Sequence, residues 1–240
     1  MPEAERKSLA LSLQNIFETL AISWPTVVEA TQGRVTKETC DARLEHWSAE
    51  IVKNARMDLH VHGRERMKPG TVYLVMSNHQ SLYDIPVLFH VIGPNLRMIT
   101  KVELFKVPVF GGALSAAGFI AIDRSNRQRA IESLAVARQK LAQGIHVWIA
   151  PEGTRSKTGK LLPFKKGGFA LARETGLPIL PVTLNGTRDV LRAKGVRSIH
   201  GARVEVTIHE PLQPSNYEKL GKEGREKMMA DVRRALESAL

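Results

Sequence analysis

Apolar and polar positions along the chain follow two alternating periods. Short apolar runs at Leu59-His60-Val61-His62, Tyr73 to Met76, Arg97 to Thr100, Phe119 to Ile122, His146 to Ile149, Ile179 to Thr183 and Val204 to Ile208 predict strands. Between several of them the apolar residues recur at three- and four-residue spacing, which predicts helices. The clearest is Arg127 to Gln143, with Ala130, Ile131, Leu134 and Leu141 on one side and Gly144 as its stop. Such alternation predicts an α/β fold in which a central mixed, partly parallel sheet is flanked by helices. An N-terminal helical pair is predicted ahead of it. In Lys7 to Trp24, Leu9, Leu13, Ile16, Phe17 and Leu20 share a face, and Pro25 is expected to end or kink the helix. A second stretch, Lys37 to Ala55, carries Leu44, Trp47 and Ile51 on one side. The pattern divides the chain into a helical extension, residues 1–56, and a main domain, residues 57–240, that closes with a helix over Tyr217 to Leu240.

An amphipathic face can meet protein or lipid, so the charge balance matters. The 240 residues are 43% hydrophobic and 25% charged, enough for one sizeable core, and the formal net charge is +11. That excess favours anionic partners: membrane headgroups, phosphorylated substrates or an acidic carrier protein. With 5% aromatic residues and no recognisable motif, nucleic acid is not expected among them. Arg6 and Lys7 would help hold the first helix on anionic lipid. The longest uncharged run, Val107 to Ile122, is sixteen residues, short of the roughly 18–20 that span a bilayer, so neither a spanning helix nor a secretory signal is expected. The single cysteine, Cys40, excludes an internal disulfide and suits a reducing compartment.

Candidate chemistry sits where strands are predicted to end. In Ser77-Asn78-His79-Gln80-Ser81-Leu82-Tyr83-Asp84, a histidine and a carboxylate are separated by four residues just after an apolar run. A neutral imidazole can take a proton from an alcohol, while a carboxylate on its other nitrogen fixes the tautomer and stabilises the imidazolium. Residues five positions apart on a helix are turned by roughly 140°, so His79 must lie in the turn before the helix predicted over Leu82 to Val91, with Asp84 near its start. Downstream, Pro151-Glu152-Gly153-Thr154-Arg155-Ser156 follows another apolar run and offers a turn glycine, a hydroxyl and a guanidinium fork suited to phosphate. Lys165 and Lys166 could add to that side.

Four ordered blocks between Trp47 and Gly186 resemble the glycerophospholipid acyltransferase family, and within it the bacterial lysophosphatidate acyltransferases. They are Asn78-His79 through Asp84, Gly118 to Arg124, Pro151 to Ser156, and Leu177-Pro178-Ile179-Leu180-Pro181-Val182. Thr100-Lys101-Val102-Glu103-Leu104 also resembles the family. The resemblance implies that His79 is the base and Asp84 its orienting carboxylate. It also implies that Lys101, Arg124 and the Glu152-Gly153-Thr154-Arg155 segment bind the substrate's glycerol phosphate, with Glu152 orienting the arginine and the turn. The fourth block would shape the site near the acyl group. Two departures stand out: Ala150 where the family often has an aromatic residue, and the lack of a long apolar N-terminal anchor.

The implied reaction moves a fatty acyl group from acyl-CoA or acyl-carrier protein, as donor substrate, to the sn-2 hydroxyl of lysophosphatidate. It uses no cofactor or metal and would run on the cytoplasmic side of an inner membrane. Other acceptors, such as glycerol 3-phosphate or a lyso-aminolipid, thioester hydrolysis and a membrane-binding module without turnover are the alternatives. Competing motifs are weaker. His60 and His62 share a strand face but lack further grouped ligands. Gly153 to Lys160 has five residues between its glycines, and Leu161 follows the lysine, so it is not a nucleotide phosphate loop. No serine sits on a glycine-flanked nucleophile elbow.

Overall fold

The computed structural model describes residues 7–240 apart from Arg124, and of Arg127 and Lys222 the backbone alone. From the N-terminal side, β1 (Lys7–Ser8) leads into α1 (Leu9–Thr31) and α2 (Lys37–Asn54). Strands β2 (Asp58–His62) and β3 (Leu74–Ser77) follow, then α3 (Asp84–Ile92), β4 (Leu96–Lys101), α4 (Phe110–Ala116) and β5 (Ile120–Ile122). Next come α5 (Arg127–Ala142), β6 (His146–Ile149), α6 (Gly167–Thr175), β7 (Ile179–Asn185) and α7 (Thr187–Val190). The chain closes with β8 (Ser198–Ile199), β9 (Arg203–Ile208) and α8 (Gly221–Glu237).

Seven strands form the main sheet in the order β2-β9-β7-β3-β6-β4-β5, and β1 pairs separately with β8. Every neighbouring pair in the main sheet is parallel except β7 with β9. The central strands are apolar on both sides because both faces are covered. Val75, Trp148 and Leu180 face a core shared with Leu11, Leu44, Ile51 and Phe89 of the N-terminal helices and α3. Leu74, Met76, Val147 and Ile179 face a second core with Phe169, Met228 and Val232. Arg97 on β4, only 2% exposed, ties the helical pair to the sheet. Its Nη2 donates to Asp41 Oδ1 on α2 at 2.6 Å, and its Nη1 donates to the Pro94 and Leu96 carbonyls.

Three helix boundaries differ from the sequence expectation. Pro25 neither ends nor breaks α1, which runs on to Thr31. The lost backbone donor is outweighed by packing, since Ser23 and Thr26 on either side are buried, and their hydroxyls bond the Thr19 and Ile22 carbonyls within the helix. The last helix is divided: Pro214–Leu220 forms a tight 3₁₀ segment, and α8 begins only at Gly221. Leu82 and Tyr83 belong to the turn before α3 rather than to the helix. No helix among the described residues is long and apolar enough to cross a membrane.

Candidate active site

Five parallel strands, β7, β3, β6, β4 and β5, all point their C-terminal ends to one edge of the sheet. The loops that leave this edge carry the residues singled out from the sequence. His79 lies two residues past β3, Pro151 to Ser156 just past β6, and Lys101 ends β4. Arg124, expected to follow β5, lies outside the described residues.

His79 Nδ1 and Asp84 Oδ2 are 2.6 Å apart. Asp84 is fully buried and its carboxylate is held by more than the imidazole. Oδ2 also accepts the Gln80 and Ser81 N–H groups at 2.7 and 2.9 Å, which places the charge against the start of α3. Oδ1 accepts the Thr187 hydroxyl at 2.5 Å. Thr187 can reach it because Gly186, at φ +90°, turns the chain sharply after β7, where a Cβ would lie 2.1 Å from the Arg203 carbonyl oxygen. A carboxylate so fixed holds the imidazole in one tautomer, proton on Nδ1, and among the described residues Nε2 has no hydrogen-bond partner. The ring also meets Trp148 edge-on, centroids 5.7 Å apart, and the Trp148 indole N–H is anchored on Ser77 Oγ. The His79 side chain keeps 18% of its surface accessible.

The histidine backbone is fixed independently. Asn78 extends the ladder beyond β3 with its side chain, donating to the Leu184 carbonyl at 2.7 Å and accepting the Leu184 N–H at 2.8 Å. The His79 N–H is thereby free of the sheet and donates to Glu152 Oε1 at 2.9 Å, while the His79 carbonyl accepts the Ser156 N–H at 2.7 Å. Glu152, expected to orient Arg155, instead spends its second oxygen on the Leu162 N–H at 2.7 Å. Burial pushes its carboxyl above the usual carboxylate range, and the two amide bonds pull the other way. The carboxylate thus clasps the second loop to the histidine turn, with Gly153 at φ +70° bending the loop between them. Arg155 is half-buried, Thr154 and Lys101 are exposed, and none of the three has a side-chain hydrogen bond or ion pair among the described residues. They stand available to a ligand at the same edge.

Thr187 and Trp148 were not legible as site residues. Thr187 is 103 positions from Asp84 and carries no motif, so only the fold brings them together. An apolar cavity of about 340 Å³ lies between the N-terminal helices and the sheet, lined among others by Leu44, Trp47, Phe89 and Phe119. Leu82 and Ile85, on either side of Asp84, also line it, so it reaches the histidine turn. Its size falls in the range of small-molecule sites.

The sequence matches the acyltransferase family model over residues 58–185. Over 66% of its length it is 36% identical to a chloroplastic 1-acyl-sn-glycerol-3-phosphate acyltransferase of Brassica napus, covering 46% of that protein. Over 76% of its length it is 34% identical to the alpha form of that enzyme in Mus musculus, covering 64%. The match thus spans about half the length of the plant relative. The crystal structure of a 1-acyl-sn-glycerophosphate (LPA) acyltransferase from Thermotoga maritima superposes with a TM-score of 0.73 at 26% identity, covering 95% of this chain and 97% of that one. The family match takes in the histidine turn, Asp84, Lys101 and the Glu152 loop and covers more than half of the sequence, so this chain belongs to the acyltransferase family.

Proposed function

We propose that this protein transfers a fatty acyl group from acyl-CoA or acyl-carrier protein to the sn-2 hydroxyl of 1-acyl-glycerol 3-phosphate, forming phosphatidate. The observation that carries the reading is the His79–Asp84 pair, its Nε2 without a partner among the described residues, set beside an apolar cavity. His79 Nε2 takes the hydroxyl proton as the substrate oxygen attacks the thioester carbonyl. The tetrahedral intermediate collapses by breaking the carbon–sulfur bond, and the imidazolium returns its proton to the departing thiolate. Asp84 orients the ring and stabilises the imidazolium. Lys101, Arg124 and Arg155 hold the acceptor phosphate, with Gly153 and Thr154 shaping the turn beneath it, so that the hydroxyl lies against Nε2. The cavity receives an acyl chain. No metal or redox cofactor enters this scheme.

On this reading the protein works at an anionic membrane surface, on the cytoplasmic face of an inner membrane. Leu9, Leu13, Ile16, Phe17, Leu20 and Trp24 of α1 are 44–68% exposed on one side of the helix, the pattern of an element lying in a bilayer interface. The free thiol of Cys40 is compatible with a reducing compartment. Residues 1–56 then form the lipid-facing element and residues 57–240 the catalytic unit.

The test follows a labelled acyl thioester with and without lysophosphatidate, comparing the native chain with His79→Ala at equal folded concentration. Acceptor-dependent phosphatidate that disappears in the variant is expected. Fatty acid released without acceptor would mean hydrolysis instead, and equal turnover by the variant would remove His79 from the mechanism.

A further inference from the structure

Val196 is 71% exposed, more than any apolar residue on the outer face of α1. It stands in the loop between α7 and β8, within Arg192-Ala193-Lys194-Gly195-Val196-Arg197. Arg192, Lys194 and Arg197 are all exposed, and none has a side-chain hydrogen bond or ion pair among the described residues. A single exposed valine on a protein surface is ordinary. The attachment of this loop is not.

Its trailing end is fastened to α1. Ser198 pairs with Ser8, its N–H donates to Ser12 Oγ at 3.0 Å, and the two hydroxyls are 2.8 Å apart. With about 100° per residue, the six exposed apolar residues of α1 lie roughly 40–140° around the helix from Ser12. The loop is therefore fixed along one long edge of that stripe. Both of its ends also stand on the histidine turn: the Leu191 carbonyl accepts the Ser81 hydroxyl at 2.8 Å, and Ser198 Oγ accepts the Tyr83 hydroxyl at 2.8 Å.

We propose that residues 192–197 are a second lipid-contacting element, in which Val196 enters the boundary between headgroups and acyl chains while Arg192, Lys194 and Arg197 hold anionic headgroups. This rests on the membrane reading of α1. A domain resting on one amphipathic stripe can still roll on a surface about that helix's axis, and a cationic loop along one edge of the stripe removes that freedom. Because the loop stands on Ser81 and Tyr83, fixing the roll also fixes how the histidine turn meets the lipid plane. Charge complementarity selects an anionic bilayer as the occupant.

The test uses the full chain. Cys40 is buried, and burial raises its thiol pKa, so a Val196→Cys variant takes an environment-sensitive thiol fluorophore at the loop. The same label on exposed Glu226→Cys of α8 is the control. On vesicles of phosphatidylcholine with phosphatidylglycerol, the label at position 196 is expected to shift to the blue and the control to stay unchanged. Combined Arg192→Gln, Lys194→Gln and Arg197→Gln should weaken binding to these vesicles by on the order of 100-fold, leaving turnover of a short-chain, water-soluble acceptor intact. Phe17→Ser with Trp24→Ser should weaken binding to neutral and anionic vesicles alike. If the α1 variant loses binding while the label at 196 does not shift, or if the triple variant binds like the native chain, the loop proposal is overturned and the α1 reading stands. If the native chain binds neither vesicle, both are overturned.

Discussion

Thr187→Val isolates what the carboxylate clamp contributes. Valine has the threonine shape without the hydroxyl, and Thr187 is fully buried, so neither bulk nor exposure changes much. What is lost is the donor to Asp84 Oδ1, leaving a buried charged oxygen without its partner while Oδ2 keeps the imidazole and two amides. A missing bond of that kind costs about 1–3 kcal/mol. If about 1.4 kcal/mol of it falls on the step in which His79 becomes charged, kcat drops roughly tenfold. Thr187 lies behind the carboxylate and does not line the cavity, so KM should stay within about twofold. Thr187→Ser restores the donor and should recover most of the rate. Thiol release from an acyl thioester, measured against lysophosphatidate concentration, separates the two constants once circular dichroism has shown equal folding. Thr183→Val is the control, since that buried hydroxyl bonds the Leu236 carbonyl and His209 at a distance from Asp84. It should lower stability and leave kcat alone. An unchanged kcat in folded Thr187→Val, or a raised KM with kcat intact, would refute the clamp.

Asp41→Ala removes the carboxylate that meets buried Arg97. Because Asp41 keeps some solvent access and Arg97 retains carbonyl partners, the cost should be about 3 kcal/mol, at the lower end for a broken buried pair, read as a lowered urea midpoint. A loss below about 0.5 kcal/mol, the range of ordinary surface changes, would contradict that assignment. His146 and His209 are both held below the ordinary histidine value, chiefly by burial. The unfolded chain therefore binds their protons more tightly, and stability that is full above about pH 6.5 declines as pH falls from there toward the folded values. The urea midpoint should be lower at pH 5.5 than at 7.5, and replacing both residues with glutamine should shrink the difference. Glu152, shifted upward, works in the opposite sense, so the comparison with the glutamine variant is the informative one. Gly186→Ala forces a Cβ against the Arg203 carbonyl and displaces Thr187, so soluble yield and kcat should fall together, whereas a fully active variant would show that the turn is not needed.

Strands and the histidine turn were readable because both depend on short-range pattern. An apolar run buried on two faces looks the same in sequence and in structure, and the turn geometry required of His79 and Asp84 follows from helix rotation alone. What escaped depends on contacts between distant segments. Pro25 reads as a stop by its covalent chemistry, but packing of α1 against the fold outweighs one missing donor. Glu152 reads as a partner for the neighbouring arginine, whereas one of its oxygens accepts the backbone N–H of His79, 73 residues away, and the other that of Leu162. Thr187 carries no local signal at all. The short helices α4 and α6, rich in glycine and alanine, were not separable by period from the loops around them.

The core beneath α1 and α2 is also the core beneath Val75, Trp148 and Leu180. The helices that face outward and the strands that carry the histidine turn should therefore unfold as one cooperative unit, with the Arg97–Asp41 pair joining them. Any surface that adsorbs α1 acts as a ligand of the native state and raises the unfolding free energy of the entire domain by mass action. On the membrane reading, lipid is then a folding effector as well as the medium of the substrate. Heat resistance should rise with vesicle concentration, and loss of the active-site geometry on heating should coincide with release of the helices.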